Sequence, residues 1–156
     1  MPEAYYISPF GCLKIKASDE ALLAVDFIEE GEYTSGSSHP VLKETIRQLD
    51  EYFKHKRNIF EIRLETEGTP FQKRVWNELL KIPFGSTISY LELARRLGDE
   101  KVIRAAGTAN GKNPIPIIIP CHRVIGSNGK LVGYAGGLHI KEWLLRHEGS
   151  FMELAL

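Results

Sequence analysis

Residues 89–111, SYLELARRLGDEKVIRAAGTANG, decide how the second half of the chain folds. Ser89 followed by Glu92 is a capping-box pattern, and Leu91, Ala94 and Leu97 then recur at helical spacing as an inward face. Gly98 suits the C-terminal cap of that helix. Asp99 can cap a second one, which runs through EKVIRAAGTAN and ends at Gly111. In it Val102, Ala106 and Ala109 make the inward stripe, leaving Lys101, Arg104 and Thr108 together on the opposite face. Two short helices joined at Gly98–Asp99 read as a helix-turn-helix. Ala105, Gly107 and Ala109 make the second helix slim, which serves close approach to a nucleic-acid groove or simply tight packing of two helices.

Working upstream, EGTPFQKRVWNELLKIPFG opens the same unit with a helix. Thr69 caps it, Pro70 fits its first position, Gln72 completes a capping box, Phe71, Val75 and Leu79 form its stripe, and Pro83 and Gly85 stop it. Before it lies a different pattern. YYISPFGCLKIKAS reads as two strands around a Pro9–Gly11 turn and LLAVDFIEE as a third, an antiparallel meander. GEYTSGSSHP is a polar loop, and Pro40 opens a helix whose Val41, Thr45, Ile46, Leu49 and Phe53 would pack on the sheet. Phe60, Ile62 and Leu64 alternate with charged residues as a half-buried strand does. The expected fold is therefore α+β: a small N-terminal domain (1–66) with an antiparallel sheet and a helix, then a mostly helical C-terminal domain (67–156).

Downstream, PIPIIIPCHRVI cannot be a regular helix, because Pro114, Pro116 and Pro120 repeatedly remove backbone donors. An extended, buried isoleucine run is expected, carrying Cys121 to its end. Ser127, Asn128 and Gly129 make a turn, LVGYAGG is a Gly-rich loop, and HIKEWLLRHEG is a helix ending at Gly149.

Net charge is zero, yet residues 1–70 carry 8 Lys and Arg against 13 Asp and Glu, while residues 71–147 carry 12 against 5. A basic half of this kind is what a phosphate-binding surface requires. The two cysteines are far apart and the histidines show no ligand spacing, so neither a disulfide framework nor a metal site is expected, and no cofactor. The start, MPEAYYISPFG, lacks the features of a signal peptide, and no run is apolar enough to span a bilayer. A cytoplasmic protein, or a nuclear one in a eukaryote, is expected, with no membrane partner.

Cys121 would ordinarily be read as a small core residue, but His122 and Arg123 follow it directly, and a nearby base or positive charge is what makes a thiol nucleophilic. Adjacent residues on an extended chain point opposite ways, so Cys121 and His122 would meet only through a bend or a bridging water. IPCHRVIGSNGKLVGYAGG, with RAAGTANGKNP before it and KEWLLRHEG after it, resembles the O6-alkylguanine-DNA alkyltransferases. The resemblance runs from about Gly68 to Gly149. In the first 66 residues it is looser, resting on Tyr-x-x-Ser-Pro-x-Gly and on a helix ending near Tyr52 and Phe53.

The resemblance implies DNA repair by direct reversal. An alkyl group would pass irreversibly from O6-alkylguanine, and also from O4-alkylthymine, to Cys121, once per molecule. His122 would act as base through a water, oriented by Glu148, and Asn113 would tie the loop before Cys121 to the helix-turn-helix. Tyr90 would touch the phosphate beside the lesion and offer a proton to the leaving guanine. Arg104 would fill the base stack after the nucleotide is flipped out through the minor groove, an extrusion costing roughly a few kcal/mol. The carbonyls of Cys121 and Val124 would accept from the guanine amino group, Tyr134 would wall the pocket, and Lys101, Thr108, Ser127 and Ala135 would complete the DNA and substrate contacts. Ala135 stands where some members have serine, so only its backbone amide is left to reach O6, and Asn110 stands where some carry a bulkier apolar residue. The partner would be double-stranded DNA, met by a monomer. The rival readings are a lesion sensor of the same fold without chemistry, a Cys–His hydrolase and a plain helix-turn-helix regulator.

Overall fold

Alternating apolar residues build the first sheet. Strands β1 (Glu3–Ser8), β2 (Gly11–Ala17) and β3 (Leu22–Ile28) pair antiparallel in the order β1-β2-β3, with Ser8 opposite Gly11 at the first turn and Cys12 opposite Ile28. The computed structural model describes residues 1–29 and 37–150, in two units, Met1–Glu67 and Gly68–Leu156. Most of the polar loop expected at 31–40 lies outside the described residues.

In the first unit the meander buries Leu13, Ile15, Leu22 and Val25, and helix α1 (Pro40–Phe53) packs on it. The buried face of α1 differs from the expected one: Leu42, Thr45, Gln48, Leu49 and Tyr52 are inside, whereas Val41, Ile46 and Phe53 are only half-buried. Aromatic packing explains the rotation. Tyr52 lies 5.3 Å from the Phe60 ring, and Phe53 stacks on Tyr6 at 6.0 Å near the surface. Residues 60–65 keep their alternation but form no strand. Gln48 takes both backbone groups of Glu61, at 3.1 and 2.8 Å, and a single bridge joins Leu64 to Leu22. A side-chain amide thus does what a neighbouring strand was expected to do.

In the second unit helix α2 (Pro70–Leu79) starts with the full capping box, the Thr69 hydroxyl accepting from Gln72 N at 3.1 Å and the Gln72 side chain accepting from Thr69 N at 3.0 Å. Thr69→Ala should therefore destabilise the protein by about 1 kcal/mol, read from the urea midpoint. Val75, Trp76 and Leu79 face inward, Phe71 only partly. The Trp76 indole donates to the Ala109 carbonyl at 2.9 Å and so ties α2 to the helix that carries Ala109.

Helix α3 (Tyr90–Arg96) follows the two-residue strand β4 (Ile88–Ser89). Only half of its capping box is made: Ser89 accepts from Glu92 N at 3.0 Å, but the Glu92 carboxylate pairs with Arg96. Leu93 and Ala94 are its buried residues, and the expected Leu91 and Leu97 are half-buried. Gly98, at φ +99°, turns the chain, Asp99 caps a short 3-10 turn (Glu100–Val102), and α4 (Ile103–Gly111) continues with Ala106, Ala109 and Asn110 buried. The helix pair forms, with α3 packed on α4, but the second helix expected from Asp99 is split into a 3-10 turn and α4, and Val102, expected inside, is only half-buried.

Residues 114–120 depart most from expectation. From Ile115 on they are buried, but they are not extended. Three prolines forbid a helix, yet tight turns remain open to them, and Ile119 N donates to the Ile115 carbonyl while Cys121 N donates to the Ile119 carbonyl, at 2.9 and 2.8 Å. Ile117 takes φ +74°, a region that β-branched residues rarely enter and that tends to occur at functional sites. A 3-10 turn (Cys121–Arg123) follows, then β5 (Val124–Ile125), which runs parallel to β4. After the turn at 126–129, helix α5 (Leu138–His147) ends at Glu148 and Gly149.

Candidate functional site

Cys121 opens the 3-10 turn with 6% of its surface exposed. Burial pushes its thiol up to about 11, against the opposing pull of a hydrogen bond with the Asn113 side chain and of the Lys141 charge, so it rests as a thiol. Asn113 also brackets the loop of turns, its Oδ1 accepting from Ile115 N at 2.9 Å and its Nδ2 donating to the Ile119 carbonyl at 2.7 Å. That bracket holds the folded loop before Cys121.

His122 is fully buried, and its Nε2 meets Glu148 Oε2 at 2.9 Å. Among the described residues Nδ1 has no hydrogen-bond partner, so it is the nitrogen able to take a proton. Burial holds the imidazole below its ordinary value; Glu148 pulls it up, and the Arg123 and Lys141 charges push it further down. Burial alone would raise the Glu148 carboxyl, but the adjoining His122 and Arg123 hold it well below the usual carboxylate range.

In front of this cluster lies a cavity of about 700 Å³, lined by Tyr90, Ile103, Arg104, Gly107, Thr108, Asn110, Gly111, Val132, Gly133, Tyr134 and Ala135. Five residues given DNA or substrate contacts from the sequence, Tyr90, Arg104, Thr108, Tyr134 and Ala135, thus meet here, together with Asn110. Lys101, Val124 and Ser127 are outside the lining: Lys101 and Ser127 are exposed elsewhere, and Val124 is buried in β5. Cys121 is also behind the lining. Its carbonyl already accepts from Val124 N and, at 3.4 Å, from the Asn110 side chain.

Arg123, noted from the sequence as a positive charge beside Cys121, turns to a carboxylate instead, and Lys141 had no role in the sequence reading. Arg123 grips Glu148, and Lys141, entirely buried on α5, donates to the carbonyls of Val132 and Gly133 at 2.8 and 3.4 Å. Burial pulls the Lys141 ammonium down to about 8. The helical spacing of Lys141, Leu144 and Leu145 was the available signal, since it sets the lysine on the inward stripe of α5.

Residues 70–150 match the family described as 6-O-methylguanine DNA methyltransferase, DNA binding domain, and residues 1–66 match its ribonuclease-like domain. The chain belongs to the 6-O-methylguanine DNA methyltransferase family. It is 46% identical over 152 residues to a methylated-DNA–protein-cysteine methyltransferase of Methanosarcina acetivorans, covering 94% of this chain and 97% of that one. A protein of the same name from Shigella flexneri is 48% identical over 133 residues, covering 84% and 76%. Among solved structures of the methyltransferase family, the Mycobacterium tuberculosis OGT in complex with DNA superimposes with a TM-score of 0.84 at 41% identity, covering 94% of this chain and 93% of that one. Among the described residues no helix is long and apolar enough to cross a membrane, and no three His, Cys, Asp or Glu cluster as metal ligands.

Proposed function

We propose that this chain repairs alkylated duplex DNA by accepting the alkyl group of a flipped O6-alkylguanine, and of O4-alkylthymine, on Cys121. The observation that carries this reading is the buried Cys121 turn, its imidazole already paired to Glu148, set behind a cavity whose rim bears Arg104. The sulfur attacks the alkyl carbon and the carbon–O6 bond breaks. The thiol proton passes to His122 Nδ1, directly or through water, and in the balance the guanine ring gains one at nitrogen, offered by Tyr90 of the cavity lining. A thiol held near 11 needs that base, because direct ionisation at neutral pH is scarce. The product is a thioether with no route back, so the protein reacts once. It acts in the cytoplasm as a monomer that reaches the lesion through the minor groove. Arg104 stands in the stack, and Lys101, Thr108, Ser127 and the backbones of Val124 and Ala135 complete the contacts.

Duplex DNA carrying labelled O6-methylguanine tests the reading, with the label mapped by peptide mass. Transfer to Cys121 that saturates at one equivalent is the expected result. Catalytic turnover would instead indicate a hydrolase, and tight binding without transfer a lesion sensor. Arg104 is exposed, so Arg104→Ala should leave stability within about 0.5 kcal/mol while slowing transfer about tenfold to a hundredfold, the range of a contact worth roughly 1–3 kcal/mol.

A further inference from the structure

Glu148 does not serve His122 alone. Its Oε1 accepts from Arg123 Nε at 2.7 Å, and its Oε2 lies 3.0 Å from Arg123 Nη2 as well as 2.9 Å from the His122 ring. The remaining arm of the guanidinium donates to the Ile82 carbonyl at 2.6 Å, and the group lies 5.9 Å from the centre of the Phe84 ring. Arg123, His122 and Glu148 are all buried.

This differs from a nucleophile–imidazole–carboxylate triad in which the carboxylate answers to the imidazole alone and stabilises its charged form. Here the negative charge is already matched. A second cation on His122 would leave two positive groups sharing one carboxylate in a buried site, where unmatched charge is costly. We infer that Arg123 is a positioning residue for the transfer: it holds Glu148 so that Oε2 faces His122 Nε2, and by matching the carboxylate it keeps the resting imidazole neutral, with Nδ1 ready for the sulfur proton.

The charged groups that act on His122 are Glu148 and Lys141 from α5 and its cap, and Arg123 from its own turn, while Tyr134 ahead of α5 feels Cys121 and Glu148. Lys141 also opposes an imidazolium, but its ammonium is taken up by the Val132 and Gly133 carbonyls and makes no bond to Glu148. Arg123 is thus the cation that both orients and neutralises the carboxylate.

The inference rests on Cys121 being the alkyl acceptor, and its test separates the two. Imidazole nitrogen NMR on the free wild-type protein should show His122 neutral and protonated at Nε2 from pH 6 to 8. In Arg123→Met the titration midpoint should rise by at least about one pH unit, a tenfold change in the neutral fraction below it, and the acid limb of the transfer rate should move with it. Arg123→Lys, which restores the charge without the fork, should bring the midpoint back toward wild type. A slow Arg123→Met protein with an unmoved imidazole and an unmoved acid limb would reduce Arg123 to packing and overturn the inference. If neither variant folds, the wild-type spectrum decides, since an imidazolium at pH 7 also overturns it. A correct imidazole titration with no labelled transfer would strike the acceptor assignment instead.

Discussion

Cys121→Ala is expected to transfer no methyl group at all while still binding methylated duplex. The change removes one sulfur from a residue that is 6% exposed and leaves the cavity lining and the Arg104 face intact, since the side chain of Cys121 is not part of that lining. The stability loss should be small, about 1 kcal/mol for a group the size of a methylene. The chain has one other thiol. Cys12 belongs to the first unit, in β2, and its buried Sγ lies 3.8 Å from the Leu13 carbonyl. Fluorescence polarisation would read the retained binding and labelled duplex the lost transfer. Label appearing on the alanine protein would mean that the acceptor has been misassigned.

Glu148→Gln should have the largest effect on stability. The substitution leaves the Arg123 guanidinium buried without its charge partner, which costs on the order of 3–5 kcal/mol when one member of a buried pair is removed. Transfer should slow as well, because His122 loses the carboxylate that fixes its tautomer. The pH dependence has a defined sign. His122 is depressed in the folded state, so its contribution is complete above the unfolded value of about 6.5 and falls as acid is added. Glu148 is depressed too, so its contribution is complete above about 4.3 and is lost as pH falls further toward its folded value. Wild type should therefore weaken in two stages on acidification, and the gap to Glu148→Gln should narrow in the second. Urea titrations between pH 8 and 3 would show this. A loss below about 1 kcal/mol at pH 7 would mean that the buried pair contributes little.

Local rules carried the sequence reading where one residue's chemistry settles one backbone group. Thr69 with Gln72, Ser89, Asp99 and Gly98 marked helix ends because each answers a specific unpaired donor or a left-handed turn. The same rules misjudged helix faces, where packing partners distant in sequence choose which side is buried, as Phe60 does for Tyr52. They also misjudged residues 114–120, since three prolines exclude one conformation without selecting among the others, and Asn113 makes the selection from outside the run. At the site, Cys121, His122, Glu148 and Asn113 were legible through family resemblance. Arg123 was legible only as a positive charge next to Cys121 and Lys141 not at all, because charged residues are ordinarily expected in solvent and only the folded chain reveals the carboxylate and carbonyls that keep them inside.

The Val132 carbonyl receives two donors, the Tyr90 hydroxyl at 3.0 Å and the Lys141 ammonium at 2.8 Å. Redundancy of this kind means that turning the phenol away from the carbonyl strands no oxygen, because the ammonium still satisfies it.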